Sequence, residues 1–164
     1  MEIVRSPTAT TSAELNSARF LGVPATPYNQ KTIDEFHAKD GLGVGPFGNH
    51  LLLMTAKGVR TGELITTPLV YRRYGDDYIV IASKGGAPMN PNWLGNIRSN
   101  PEVEVEVAKD GGTETFKARA RVIAGGPEHD RLYIEQARVW PAFLDYQKRT
   151  ERVIPVVVLE RLRG

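Results

Sequence analysis

The chain has 164 residues, 21 Lys plus Arg against 19 Asp plus Glu, a formal charge of +2 and no cysteine. That length supports one core of ordinary domain size, and the missing thiols exclude a disulfide framework, a cysteine nucleophile and any Cys-based zinc or iron–sulfur site. So small a net charge gives no argument for nucleic-acid binding, and no apolar run is long enough to cross a bilayer. A cytoplasmic domain without an integral membrane segment is the resulting expectation.

Residues 1–27 are rich in Ser, Thr, Ala and Pro and lack periodicity. They read as a mobile leader with a short ordered piece around Leu15 to Leu21. They also lack the apolar stretch of a signal peptide, and residues 28–164 read as a single domain. Thr32-Ile33-Asp34-Glu35 has the form of a capping box. It opens a short helix with Ile33, Phe36 and His37 on one face, ending before Asp40-Gly41. Gly43-Val44-Gly45-Pro46-Phe47-Gly48 spells G-x-G-x-x-G, but it follows a helix and precedes a strand. Dinucleotide binding needs the reverse order, with the phosphate on the following helix N-terminus, so the match is set aside.

Strands begin at Leu51 to Thr55 and Thr66 to Arg73. A turn at Gly75-Asp76-Asp77 leads to Tyr78–Ala82, an almost wholly apolar run whose length and β-branched content favour a strand covered on both faces. Asn90-Pro91 supplies an N-cap and a proline at the first helical position, predicting a helix through about Ser99. Next, Glu102–Val107 and Phe116–Val122 alternate strictly and flank Asp110-Gly111, which suits a type I′ turn. That turn pairs Val105 with Phe116, Glu104 with Lys117 and Glu102 with Arg119. Apolar side chains then share one face and opposite charges the other, each pair contributing about 0.2–1 kcal/mol. Gly126-Pro127 opens another helix with Leu132 and Ile134 to Val139 inward, Trp140-Pro141 breaks it, and Ala142 to about Thr150 forms a third. Val153 to Leu159 closes the chain as a strand in which Pro155 points to an edge or a bulge. About six strands joined mostly by turns predict a mainly β, mostly antiparallel, closed or half-open barrel with peripheral helices.

Two loops concentrate binding chemistry. Thr55-Ala56-Lys57-Gly58-Val59-Arg60-Thr61-Gly62 offers two cations, two hydroxyls and glycines that let amides approach a ligand, the composition of an anion nest. The same composition also serves a plain solvated hairpin. In Ala82–Trp93 a buried strand runs through Ser83-Lys84-Gly85-Gly86 into a helix N-terminus, again favourable to anions. Trp93 there either flanks a planar ligand or anchors the helix. Two such loops in one barrel point to a multiply anionic ligand. Trp140, Phe143 and Tyr146 recur every three residues, so they either cover the barrel or wall a pocket with the Tyr146 hydroxyl as a polar handle. His37, His50 and His129 show no ligand spacing, and no metal site is expected.

Taken together, several stretches resemble the deazaflavin-dependent nitroreductase family. They are Leu51–Thr55, Lys57-Gly58-Val59-Arg60-Thr61-Gly62, Thr67-Pro68-Leu69, the block from Ala82 through Ser83-Lys84-Gly85-Gly86 to Asn90-Pro91-Asn92-Trp93, then Asn96, Asn100-Pro101 and Ile154-Pro155. The resemblance runs in order over about residues 28–160 and implies a split β-barrel of the kind that binds flavin mononucleotide or a deazaflavin. It implies a reductase that takes a hydride from reduced 8-hydroxy-5-deazaflavin, coenzyme F-420, whose phosphate and oligoglutamate tail carry several negative charges. The acceptor is then an electron-poor quinone, enone or nitroaromatic.

Carried over by position, Lys57, Arg60 and Thr61 hold the phosphate and tail. Ser83, Lys84, Gly85 and Gly86 line the ring edge, and Pro68, Pro91, Trp93 and Asn96 complete the cleft. Val70, Trp140, Phe143 and Tyr146 wall the acceptor pocket, with Ser83 or Tyr146 serving the developing oxyanion catalytically. Ile65 replaces a frequent arginine, Leu94-Gly95 a tyrosine and a bulkier residue, and Val70 a tyrosine. A flavin mononucleotide reductase, a non-catalytic binder of the deazaflavin or of a lipid-like ligand, and pairing into a homodimer stand beside the main reading. Tyr71, Tyr78 and Phe116 form no basic stacking platform for nucleic acid.

Overall fold

A computed structural model describes residues 27–163; the expected leader, with its ordered piece at Leu15 to Leu21, lies outside them apart from Pro27. The described residues start with α1 (Pro27–Ala38) and a single 3-10 turn at Gly45–Phe47. Four strands follow: β1 (Leu51–Lys57), β2 (Leu64–Val70), β3 (Arg72–Tyr74) and β4 (Asp77–Ile81). A tight turn at Lys84–Gly86 leads into α2 (Asn92–Ser99), then β5 (Glu102–Lys109) and β6 (Gly112–Ile123). Helices α3 (Pro127–Val139) and α4 (Ala142–Lys148) precede the closing β7 (Val156–Arg161).

The strands form one seven-stranded sheet in the order β2-β1-β5-β6-β7-β4-β3, with every neighbouring pair antiparallel. β2 and β3 lie at opposite ends of that order, yet only Tyr71 separates them along the chain. The sheet must therefore curl until its two ends meet, which makes the expected half-open barrel. The seam is pinned from outside the sheet: the buried Gln136 amide on α3 donates to the Val70 carbonyl at 3.2 Å and the Ile79 carbonyl at 2.9 Å.

The β5–β6 hairpin has the predicted register, with Val105 opposite Phe116, Glu104 opposite Lys117 and Glu102 opposite Arg119. Asp110 and Gly111 both take positive φ, 47° and 83°, as a type I′ turn demands. The continuous apolar run in β4 is also explained. Tyr78 and Val80 face the barrel interior with Met54, Trp93 and Leu159, whereas Ile79 and Ile81 face a second core under α3 and α4 with Leu132 and Phe143. β7 divides in the same way, so both strands are covered on both sides. A third, smaller core holds Ile33 and Phe36 of α1 against Leu51 and Leu53.

Several local expectations are corrected. α1 begins at Pro27, so Thr32 sits in mid-helix rather than at a cap. Glu35 accepts instead from Lys39 at 2.7 Å and from the Gly45 amide at 2.9 Å, while His37 is exposed and turned to Glu106 rather than inward. α2 starts at Asn92, with Pro91 extended before it and no side-chain cap; Asn90 accepts from Arg152 at 2.8 Å. Ile134 is 53% exposed, because the helical period turns Tyr133, Gln136 and Ala137 inward instead. The expected strand over Thr66–Arg73 breaks at Tyr71, where the sheet folds over, giving seven strands rather than six. β7 is central, not an edge: Pro155 stands just before its first residue, where its carbonyl takes the Ala82 amide at 3.0 Å and its missing N–H breaks no ladder.

One buried phenol carries a measurable pH signature. The Tyr133 hydroxyl donates to the Phe143 carbonyl at 2.6 Å, and burial pushes its pKa up to about 12. The folded pKa lies above the unfolded value, so this contribution is complete below pH about 10 and fades as pH rises towards 12. Urea midpoints taken across that alkaline range should fall steeply for the wild type. In Tyr133→Phe the decline should be shallower, from a starting stability lower by about 1 kcal/mol.

Candidate functional site

Both predicted binding loops lie at the end of the sheet reached by the C-termini of β1 and β4, one on each side of α2. The loop after β1 is closed by its own backbone: the Gly58 amide donates to Glu63 at 2.8 Å and the Gly62 amide to Gly58 at 2.9 Å. The Thr61 hydroxyl accepts the Glu63 amide at 3.2 Å, so it first serves the turn itself. A tie to the helix comes from Asn96, 9% exposed, whose Oδ1 accepts the Val59 amide at 3.0 Å. Asn96 thereby fixes the distance between the cation-bearing loop and α2. Ile65 is half-buried and packs beside Gly58 and against the α1 core; it supports the loop without adding charge.

The second loop is unusual in its backbone. Lys84, Gly85 and Gly86 all have positive φ, at 47°, 64° and 86°. Glycine takes such values without strain, but for Lys84 they cost about 1 kcal/mol or more and need support from the surroundings. That support comes from the turn's own bonds, the Gly86 amide to the Ser83 carbonyl at 2.9 Å and the Ala87 amide to the Lys84 carbonyl at 3.1 Å, and from two arginines which the sequence reading missed. Arg149 donates to the Gly85 carbonyl at 3.3 Å. Arg152 donates to the carbonyls of Ser83 at 2.8 Å, Ala87 at 2.9 Å and Ala82 at 3.4 Å. Burial lowers the Arg152 pKa from its ordinary value, and the nearby Tyr133 opposes that shift; the group stays charged at any physiological pH.

α4 sits directly on this loop. A Cβ at Gly86 would lie 2.6 Å from the Tyr146 carbonyl oxygen and 3.0 Å from the Tyr146 Cα. The loop and the aromatic residues are therefore one continuous region. Tyr146 and Trp140 are half-buried, and the Trp140 Nε1–H donates to the Tyr146 hydroxyl at 3.4 Å. Phe47, also missed from the sequence, packs its ring 5.4 Å from that of Trp140. Trp140 lies in the link between α3 and α4 rather than on the helix, and Phe143 is only 4% exposed, in the core against Tyr133. Val70 is half-buried and touches both the α1 core and the core under α3 and α4. Trp93 is 3% exposed and Leu94 fully buried in the barrel core, so Trp93 anchors α2. Pro68 and Pro91 are buried, and Ser83 is 7% exposed.

Both loops carry cations. Among the described residues Lys39, Arg72, Lys109, Arg121, Arg131, Arg161 and Arg163 are all ion-paired. Lys57, Arg60 and Lys84 have no carboxylate partner there, and neither do Arg73, Arg138 and Lys148 elsewhere. No group of three or more His, Cys, Asp or Glu among the described residues is placed to hold a metal. No helix among them is long and apolar enough to cross a membrane.

The curled antiparallel sheet is a split barrel, the fold of solved deazaflavin-dependent reductases. A solved F420-H2-dependent reductase, FDR-A, superimposes with a TM-score of 0.59 at 31% identity, covering 68% of this chain and 94% of that one. A domain-swapped dimer superimposes with a TM-score of 0.61 at 30% identity, covering 81% and 95%. The model of the F420H(2)-dependent quinone reductase family matches residues 30–161, and the chain belongs to that family. An F420H(2)-dependent quinone reductase of Mycobacterium tuberculosis is 40% identical over 118 residues, which cover 67% of this chain and 72% of the relative.

Proposed function

We propose that the protein reduces quinones with a hydride taken from reduced coenzyme F-420. The observation that carries this reading is the set of unpaired cations, Lys57, Arg60 and Lys84, on two loops that Asn96 and α2 hold together. Other described cations also lack a carboxylate partner, but these three stand on two glycine-rich turns at one end of the sheet, as a ligand with a phosphate and a carboxylate tail requires. Flavin mononucleotide has one phosphate and gives the second cation loop no purpose. When bound, the deazaflavin supplies the hydride.

The remaining work falls to the chain. Lys57 and Arg60 hold the anionic arm, with the Thr61 hydroxyl beside them. The Ser83–Gly86 turn presents backbone to the ring edge, and Pro68, Pro91, Trp93 and Asn96 keep the cleft in shape from beneath. Val70, Trp140 and Tyr146, with Phe47 behind Trp140, offer an apolar wall suited to a flat acceptor, and Phe143 backs it from the core. A quinone that receives a hydride gains two electrons and one proton, and it needs one further proton to become the hydroquinone. Indole N–H can only donate, so the Tyr146 oxygen accepts from Trp140 and its own proton remains free for an acceptor oxygen. Ser83 is the second hydroxyl near this region. The 30%-identical neighbour that forms a domain-swapped dimer supports a homodimer, and the reading carries a cytoplasmic location with it.

Titration of the protein into oxidised coenzyme F-420, followed by the cofactor's fluorescence with flavin mononucleotide in parallel, tests the reading. Saturable binding to the deazaflavin alone is expected. Arg60→Ala should weaken it about tenfold, the lower range for a charge-assisted contact at an exposed site. Preference for the flavin, or an Arg60→Ala variant that binds equally well, would sink the assignment.

A further inference from the structure

We propose that Arg152 is the positioning residue of the cofactor loop: by gathering the carbonyls of Ala82, Ser83 and Ala87, it turns the Ser83–Lys84 peptide N–H outward as a donor for the anionic ligand. The proposal rests on the reading of Ser83–Gly86 as cofactor-binding and adds a residue that this reading does not contain.

Three observations support it. First, the guanidinium spends its donors on backbone oxygens and Asn90 Oδ1, with bonds of 2.8 Å to Ser83, 2.9 Å to Ala87, 3.4 Å to Ala82 and 2.8 Å to Asn90. Among the described residues it forms no ion pair. A half-buried cation without a counter-ion leaves a positive field that the loop itself must accept, and an anionic ligand nearby is favoured by it. Second, the peptide bonds are trans, and in a trans peptide the C=O and N–H point in opposite directions. The Ser83 carbonyl accepts from both Arg152 at 2.8 Å and the Gly86 amide at 2.9 Å, and the Lys84 N–H points away from that side. A cation on the carbonyl also polarises the peptide and strengthens the N–H as a donor. Third, the left-handed run through Lys84 has two bonds of its own and is braced from outside by Arg152, and Arg152 is itself held. The Gln147 side chain of α4 donates to the Arg152 carbonyl at 2.7 Å and accepts the Ile154 amide at 3.0 Å. One helix therefore touches the loop at Gly86 and fixes the arginine behind it.

Arg152→Gln and Arg152→Lys, read in two ways, test the proposal. Amide hydrogen exchange on the free proteins should show residues 83–87 exchanging about tenfold faster in Arg152→Gln, with the β5–β6 hairpin still protected. Fluorescence titration with oxidised coenzyme F-420 should show the dissociation constant rising at least about tenfold in Arg152→Gln. Arg152→Lys, which keeps the charge but cannot span four acceptors, should fall between the two. Unchanged exchange in the loop overturns the proposal, as does unchanged affinity with a loosened loop. Deprotection spread evenly over β5 and β6 also overturns it, because Arg152 is then a general staple. A wild type that fails to bind the deazaflavin overturns the cofactor reading, whereas a wild type and an Arg152→Gln variant that bind alike overturn the role of Arg152 alone.

Discussion

Gly86→Ala is expected to lower stability by about 2–4 kcal/mol and to weaken deazaflavin binding by more than tenfold. Two costs add at this position. The backbone has φ of 86°, a conformation that penalises any Cβ. The new methyl would also lie 2.6 Å from the Tyr146 carbonyl, a backbone atom that can move only if α4 moves. Displacing α4 shifts Tyr146 at the acceptor wall and Gln147 behind Arg152 together, so the site loses geometry on both sides. Gly85→Ala provides the control. It has φ of 64° and nothing within 4 Å of the added atom, so it carries only the conformational cost of about 1 kcal/mol. Chemical denaturation of the two variants side by side decides the matter. Equal losses would mean that contact with α4 contributes nothing, and the continuity between loop and aromatic wall would then have no energetic basis.

The comparison of sequence and structure turns on how local each signal is. The β5–β6 register was legible pair by pair because strict alternation and an Asp-Gly turn specify it twice over. The continuous apolar run in β4 correctly indicated a strand covered on both faces. Nothing local showed that β7 lies between β6 and β4, and Pro155 argued for an edge because its position one residue outside the ladder is set by tertiary pairing. The capping-box pattern at Thr32 was likewise overridden: the helix extends back to Pro27 while Glu35 turns to Lys39 and Gly45. The glycine-rich cation loops of the proposed site could be picked out because composition alone supplies their cations and glycines. Arg152 was not, since its carbonyl partners lie more than 60 positions earlier in the chain. A single arginine just before an apolar strand carries no such message. Gln136 was invisible for the same reason. It lay within Ile134 to Val139, read as inward, and its buried amide nitrogen finds two carbonyls far away in the chain.

Gln136 accordingly sets the last expectation, a large loss of stability from Gln136→Leu. Its side chain is fully buried, and its amide nitrogen donates to Val70 on β2, at one end of the sheet, and to Ile79 on β4, the strand next to the other end, while its Oε1 has no partner. Leucine fills similar space but leaves both carbonyls without this donor, each at a cost of about 1–3 kcal/mol. A loss of about 2–4 kcal/mol in urea unfolding is expected, with amide exchange accelerating first in β2 and β4. Gln136→Glu separates polarity from shape. At neutral pH its carboxylate faces two carbonyl oxygens in a buried seam and destabilises more than leucine does. Burial without a cation raises the folded pKa above the unfolded one, so protonation restores a donor as pH falls, and the stability present in acid is lost as pH rises through the folded pKa. The Glu variant should therefore gain on the Leu variant between pH 7 and 5. If the two keep a constant difference across that range, the amide is not the crosslink that closes the barrel.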